Sequence, residues 1–199
     1  MNVLELDIDG PLVVEPSVFR DARGSFFESY NEAEARAVGI GPRFVQDVQS
    51  RSAAGVLRGL HAQRLKPQGK LVRVVVGAVL DVAVDLRLGS PSFARWVGVE
   101  LTARNRRQLW IPPGFAHGFC ALTETAEVLY KCTELYDPTD EIGLRWDDPD
   151  VAVDWPLDRL PGGRPLVSDK DAALPDLATL RPRLADAPAY RFAPGRAAS

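Results

Sequence analysis

The chain has 199 residues, 46% of them hydrophobic and 26% charged, a balance that fits one soluble globular domain and excludes disorder or a fibrous repeat as its main state. Its 24 Lys and Arg against 27 Asp and Glu leave a formal net charge of -3, so no global field draws it to nucleic acid or to an acidic membrane. Any anion it binds must be held by a local basic pocket. At this length roughly 70% of the unfolded surface is buried on folding, so a core needs neither a disulfide nor a metal to hold it.

The two cysteines, Cys120 and Cys132, lie inside apolar segments, and no charged start followed by an apolar run marks a signal peptide. A reduced, cytoplasmic home is expected. No stretch approaches the roughly 18 apolar residues of a membrane-spanning helix.

In chain order, residues 11–14 and 24–30 read as strands, and Asn31 is placed to cap a short helix over 31–37. Residues 55–60 read as a further strand. From 71 to 136 short apolar bursts rich in Val, Leu, Phe and Trp predict strands at 71–76, 79–86, 93–101, 108–111, 117–122 and 127–136. Gly77, Pro91, Asn105, Pro112 and Pro113 punctuate them, and many short strands at this spacing indicate a sandwich or barrel. After Trp155 the composition shifts to Pro, Gly, Ala and Asp, with one helix predicted over 175–184. The expected organisation is a single all-β domain over 1–185, with short flanking helices, and a surface-docked or frayed tail over 186–199.

Alternation puts Asp81, Ala83, Asp85 and Arg87 on one strand face and Val82, Val84 and Leu86 on the other. The pattern is equally compatible with a solvated face and with buried carboxylates, which would need partners. Between Arg58 and Gln63 the polar residues cluster. Strict alternation would send Arg58 and His61 to opposite sides, so a shared pocket requires a bulge, which Gly59 permits. Lys70 falls at the mouth of the next strand.

The segment 109–119, LWIPPGFAHGF, feeds a tight turn into a strand carrying His117, and resembles the second motif of the cupin superfamily, with 55–70 as a degraded first motif. Metal-bearing cupins need more histidines than the two present here, and Gln63 and Lys70 stand where ligands would be; an ammonium repels a cation. No metal and no cofactor are therefore expected.

At finer grain the runs FRDARGSFFE (19–28), GVLRGLH (55–61), QGKLVR (68–73), DVAVDLR (81–87), QLWIPPGFAHGF (108–119), LYK (129–131), RWDDP (145–149) and SDKD (168–171) occur in order. Together they resemble the dTDP-4-dehydrorhamnose 3,5-epimerase family over roughly residues 3–180. The resemblance implies a cupin-type jelly roll and proton transfer at the carbons flanking the C4 ketone of a dTDP-4-keto-6-deoxy-hexose. It implies His61 as base, Asp171 as the carboxylate that orients it, Lys70 as the stabiliser of the enolate and Tyr130 as the acid on the opposite face. Asp85 competes with Asp171 for the orienting role.

For substrate binding the resemblance carries over to Arg23, Phe26, Glu28, Gln46, Asp47, Arg58, His117, Glu141 and Lys170. The cations among them suit a diphosphate, and Phe26 or Phe27 could stack on thymine. The family usually reads Gln-Asp-Asn where this chain reads Gln46-Asp47-Val48, which removes one amide. The alternatives are a single-carbon epimerase or ketoisomerase of a related dTDP-sugar, and a sugar-nucleotide-binding cupin without catalysis. The family implies a homodimer in which the N-terminal strand joins the partner's sheet.

Turnover is expected to persist after exhaustive chelation. Loss on chelation, with recovery on adding back one divalent metal, would contradict the histidine count as the deciding feature.

Overall fold

The computed structural model describes residues 1–192. Thirteen strands occur among the described residues, numbered in chain order: β1 Asn2–Glu5, β2 Leu12–Glu15, β3 Val18–Asp21, β4 Gly24–Phe27, β5 Gln46–Ala53, β6 Leu57–Gln63 and β7 Lys70–Val76, then β8 Ala78–Asp85, β9 Trp96–Thr102, β10 Gln108–Ile111, β11 Phe115–Ala121, β12 Thr125–Cys132 and β13 Glu141–Gly143. Among the described residues three short α-helices accompany them: α1 Glu32–Ala37, α2 Asp169–Ala172 and α3 Leu177–Ala185. None is long and apolar enough to cross a membrane.

The strands form a six-stranded sheet in the order β1-β2-β10-β7-β12-β5 and a five-stranded sheet in the order β13-β6-β11-β8-β9, while β3 and β4 pair only with each other. Neighbours pair antiparallel although many are distant in sequence, which is the jelly-roll topology the punctuated strands predicted. Val72 and Val74 of β7 and Val128 of β12 meet Val79 and Ala83 of β8, Val97 of β9 and Phe119 of β11 to form the core between the sheets. The outer face of the five-stranded sheet is also covered: Leu57, Leu60, Val82, Val84 and Cys120 pack beneath Leu144, Trp155, Leu180 and Leu184 from the C-terminal third.

That double covering settles the face of β8. Asp81 and Asp85 are both fully buried, so a solvated face is excluded. Asp85 accepts from Arg87 Nε (2.9 Å) and from the hydroxyls of Ser90 (2.6 Å) and Ser92 (2.7 Å). Burial pushes its pKa upward, but these bonds outweigh burial and hold it below the usual carboxylate range. Asp85 therefore clamps the turn after β8 and has no part in orienting His61.

Gly59 produces the expected bulge. His117 pairs with His61 and Phe119 with Arg58, so β6 carries one residue more than β11 between those pairs. Gly59 sits at φ 111°, and an added Cβ would lie 2.7 Å from the Gly118 Cα and the His117 carbonyl oxygen.

Asn31 caps α1 by accepting from the Ala33 and Glu34 N–H groups, as expected. Several boundaries differ from the sequence reading. The strand predicted over 93–101 starts at Trp96, because Phe93 and Arg95 donate to the Ser90 and Ser92 carbonyls in a turn. The strand predicted to 136 ends at Cys132, where the chain leaves the ladder. β5 was not anticipated: only Val48 and Ala53 in Gln46–Ala53 are apolar, too few to display a period of two.

Of the tail expected to be surface-docked or frayed, the described part is docked, and more deeply than on a surface. Ala187 and Tyr190 are fully buried in the outer core, and the Tyr190 hydroxyl donates to the Gln63 carbonyl at 2.7 Å. Phe192 N–H bonds the Leu88 carbonyl, while 193–199 lie outside the described residues. Tyr190→Ala is expected to cost about 3–5 kcal/mol and Tyr190→Phe about 1 kcal/mol in denaturant unfolding. Equal, small losses for both variants would mean that the ring contributes no packing.

Candidate active site

His61 lies near the C-terminal end of β6, just past the bulge. Its partner comes from far along the chain: Ser168 caps α2 by accepting the Asp171 N–H at 3.1 Å, and this one-turn helix presents the Asp171 carboxylate to β6. Asp171 Oδ1 meets His61 Nε2 at 2.7 Å, and Oδ2 accepts the Gly59 N–H at 3.1 Å. Burial acts to raise the Asp171 pKa, but the bond to His61, the Gly59 N–H and the positive charge of Lys170 together hold it below the usual range. An ionised carboxylate can only accept, so Nε2 carries the proton and Nδ1 is left as the basic nitrogen.

Across the cavity stand Lys70, the first residue of β7, and Tyr130 of β12. Burial lowers the Lys70 pKa, with Cys132, Asp81 and Glu141 opposing the fall. Its Nζ lies 5.8 Å from the centroid of the Tyr130 ring. Burial, reinforced by Cys132 and opposed by the charge of Arg58, pushes Tyr130 up to about 12. The phenol is therefore a proton donor at neutral pH. His61, Lys70, Tyr130, Gln46, Val48 and Gln63 line a cavity of about 280 Å³, with Tyr136 and Glu141 also on its wall.

A second histidine–carboxylate pair lies deeper. His117 Nε2 is 2.8 Å from Asp81 Oδ1, and both side chains are buried. Burial, helped by the charges of Lys70 and His61, lowers the His117 pKa against the pull of Asp81. The His117 ring meets Tyr130 edge-on at 6.2 Å.

The expected binding residues divide into two sets. Gln46 lines the cavity and accepts the Tyr136 N–H at 2.9 Å. Arg58 Nε donates to Ser52 Oγ at 3.1 Å, on the inward-facing row of β5. Glu141 takes Lys170 Nζ at 2.7 Å on one oxygen and the Tyr136 hydroxyl at 2.5 Å on the other. Asp47 does not belong with them: it occupies the outward row of β5 and pairs with Lys131 at 3.0 Å.

Arg23, Phe26 and Glu28 are also absent from this cavity within the single chain. The β3–β4 hairpin pairs with no other strand, Arg23 bonds Asp21 at its tip, and Phe26 is 73% exposed. Conversely, Tyr136 and Gln63 were not singled out as site residues. Gln63 is a buried clamp that donates to the Lys66 and Leu135 carbonyls and accepts the Asp137 N–H. Gln63 ends β6 and Tyr136 lies in the loop after β12, where no periodicity announces a role.

Among the described residues, no group of three or more His, Cys, Asp or Glu side chains is arranged to hold a metal. The fold and cavity thus define a jelly-roll protein in which a carboxylate-paired histidine, a lysine and a protonated tyrosine line one cavity. The sequence profile of the dTDP-4-dehydrorhamnose 3,5-epimerase family matches residues 5–179, and the chain belongs to that family of isomerases. It is 54% identical over 172 residues to the dTDP-4-dehydrorhamnose 3,5-epimerase of Pseudomonas aeruginosa, covering 86% of this chain and 93% of that one. To that of Methanothermobacter thermautotrophicus it is 52% identical over 168 residues, covering 84% and 90%. The crystal structure of dTDP-6-deoxy-D-glucose-3,5-epimerase from Legionella pneumophila, in complex with dTDP-4-keto-L-rhamnose, superposes with a TM-score of 0.89 at 47% identity, covering 96% of this chain and 98% of that one.

Asp171→Asn is expected to lower turnover by roughly 10²–10⁴-fold, because an amide neither fixes the His61 tautomer nor stabilises its protonated form. Because Asp171 is depressed below its ordinary 3.8, its contribution to stability is full above that value and is lost as pH falls through the folded-state pKa. Thermal melts should therefore show a shallower acid-side decline for the Asn variant; an unchanged slope would contradict the depressed pKa.

Proposed function

We propose that the chain inverts C3 and C5 of dTDP-4-keto-6-deoxy-D-glucose, giving dTDP-4-keto-L-rhamnose, with His61 abstracting a proton and Tyr130 returning one through an enolate. One observation carries this reading: His61 stands on β6 of the five-stranded sheet and Tyr130 on β12 of the six-stranded sheet, so base and acid enter one cavity from opposite walls. A sugar ring lying between them is exposed to the base on one face and to the acid on the other, which is the geometry inversion needs. His61 Nδ1 takes the proton next to the ketone. The electrons move onto the C4 oxygen, where the Lys70 ammonium stabilises the enolate, and Tyr130 returns a proton to the far face.

Gln46, Arg58, His117, Glu141 and Lys170 would bind the substrate, the two cations at the diphosphate. Arg23, Phe26 and Glu28, which the single chain leaves on an exposed hairpin, suit a role in a second copy's site, with Phe26 on the thymine. A homodimer is proposed on that ground, and a cytoplasmic location fits two buried free thiols. A merely binding cupin has no use for a base and an acid on opposite walls.

In heavy water, proton NMR of the sugar nucleotide should show deuterium at both C3 and C5. His61→Asn should reduce turnover by roughly 10²–10⁴-fold, whereas Tyr130→Phe should keep exchange from the His61 side and impair inversion. Label at one carbon alone would replace this reading with a single-carbon epimerase. Binding without label at either carbon would make the chain a non-catalytic cupin.

A further inference from the structure

The strand that carries His61 outruns one of its ladders. β6 extends to Gln63, but its register with β11 closes at the His61–His117 pair, and beyond that pair β13 is the strand beside it, with Glu141 opposite Gln63. The Gln63 carbonyl is taken by the Tyr190 hydroxyl at 2.7 Å, a bond that joins residues 127 apart. A side chain from the C-terminal segment thus stands in for a missing ladder bond.

Gln63 is also where the mouth of the cavity is fastened. It lines the wall beside His61, Tyr136 and Glu141. Its amide donates to the Lys66 and Leu135 carbonyls and accepts the Asp137 N–H, so one side chain ties the loop after β6 to the loop after β12. Three bonds to two loops require the Gln63 backbone at a fixed depth, and a strand end held by few hydrogen bonds opens more readily than its middle.

Tyr190 is anchored well enough to supply that depth. Its ring is fully buried in the outer core. Its carbonyl accepts the Leu88 N–H at 2.6 Å and the Phe192 N–H bonds the Leu88 carbonyl, which docks the segment beside the turn that Asp85 and Arg87 brace. The Arg87 guanidinium lies 5.3 Å from the Phe192 ring. The family profile matches residues 5–179, so this segment lies beyond the matched region.

We infer that Tyr190 is a positioning residue for substrate binding, which holds the end of β6 from the outer core and, through Gln63, fixes the two loops at the cavity mouth. This rests on the reading of that cavity as the sugar-nucleotide site. Tyr190 is not on the cavity wall and has no part in the proton transfers; it acts through the placement of Gln63.

Tyr190→Phe keeps the ring and removes only the hydroxyl. With dTDP-4-keto-6-deoxy-D-glucose it should raise KM about three- to tenfold, the worth of one hydrogen bond, and leave kcat within about twofold, because His61 and Tyr130 are untouched. Hydrogen exchange of the backbone amides in 64–69 and 133–140 should quicken at least about fivefold, with β9 unchanged. Leu180→Val loosens the same outer core without touching Gln63, and should leave KM and both loops within about twofold of wild type. Gln63→Met should raise KM by itself, and Tyr190→Phe added to it should change KM by less than about twofold, since the clamp it serves is gone.

An unchanged KM and quiet loops in Tyr190→Phe, an equal response of Leu180→Val, or a full further rise in KM on adding Tyr190→Phe to Gln63→Met would overturn the positioning role and leave Tyr190 as packing alone, with the cavity assignment intact. Failure of the wild-type chain to bind dTDP and to turn over the sugar nucleotide would overturn the cavity assignment, and the positioning role with it.

Discussion

The hydrogen bond between His61 and Asp171 joins residues 110 apart in sequence, and much of the architecture exists to make it possible. Burying a carboxylate is costly, and hydrogen bonds to both oxygens offset that cost. The second oxygen takes the Gly59 N–H, a group that the bulge frees from the β6–β11 ladder. The glycine, the bulge, the Ser168 cap and the one-turn helix α2 are therefore parts of one device. Remove the bulge and the carboxylate loses a donor; remove the cap and the helix no longer presents it.

Two other buried acids of the barrel are held differently. Asp85 is tied by Arg87, Ser90 and Ser92 into the turn that starts the approach to β9, a purely structural use. Asp81 is tied on one oxygen to His117, whereas its other oxygen, buried, has no partner among the described residues. Two histidines thus receive one carboxylate each. The one paired through the C-terminal segment remains partly open to the cavity and the one paired within the sheet is closed off. Access, set by which element supplies the carboxylate, separates the two.

The jelly roll accounts for the opposition of His61 and Tyr130. Residues on facing walls of a two-sheet fold must point toward one another, and the lysine and tyrosine arrive together because β7 and β12 are neighbours in the same sheet. The apolar residues that fill the barrel elsewhere give way to polar ones at its mouth, where the rim loops are fastened by Gln63, Asp140 and Glu141. Desolvation at that mouth raises the Tyr130 pKa and lowers that of Lys70.

By itself the sequence determined the elements with strong local signals: the strands bounded by Gly and Pro turns, the Asn31 cap, the bulge that Gly59 allows, and a histidine count too small for a three-His metal site. Ordered motifs likewise carried the family and, through it, the candidate residues. Tertiary structure decided what depends on distant partners. It chose Asp171 over Asp85 for His61, although Asp85 is far nearer in sequence. It turned Asp47 outward and left Arg23, Phe26 and Glu28 away from their own chain's cavity. It made a strand of the polar segment Gln46–Ala53 and buried Tyr190 from an unpromising tail. The physical reason is common to all of these. A period of two states which residues share a face, but whether that face meets solvent, a second sheet or a returning C-terminal segment is fixed only when the layers pack.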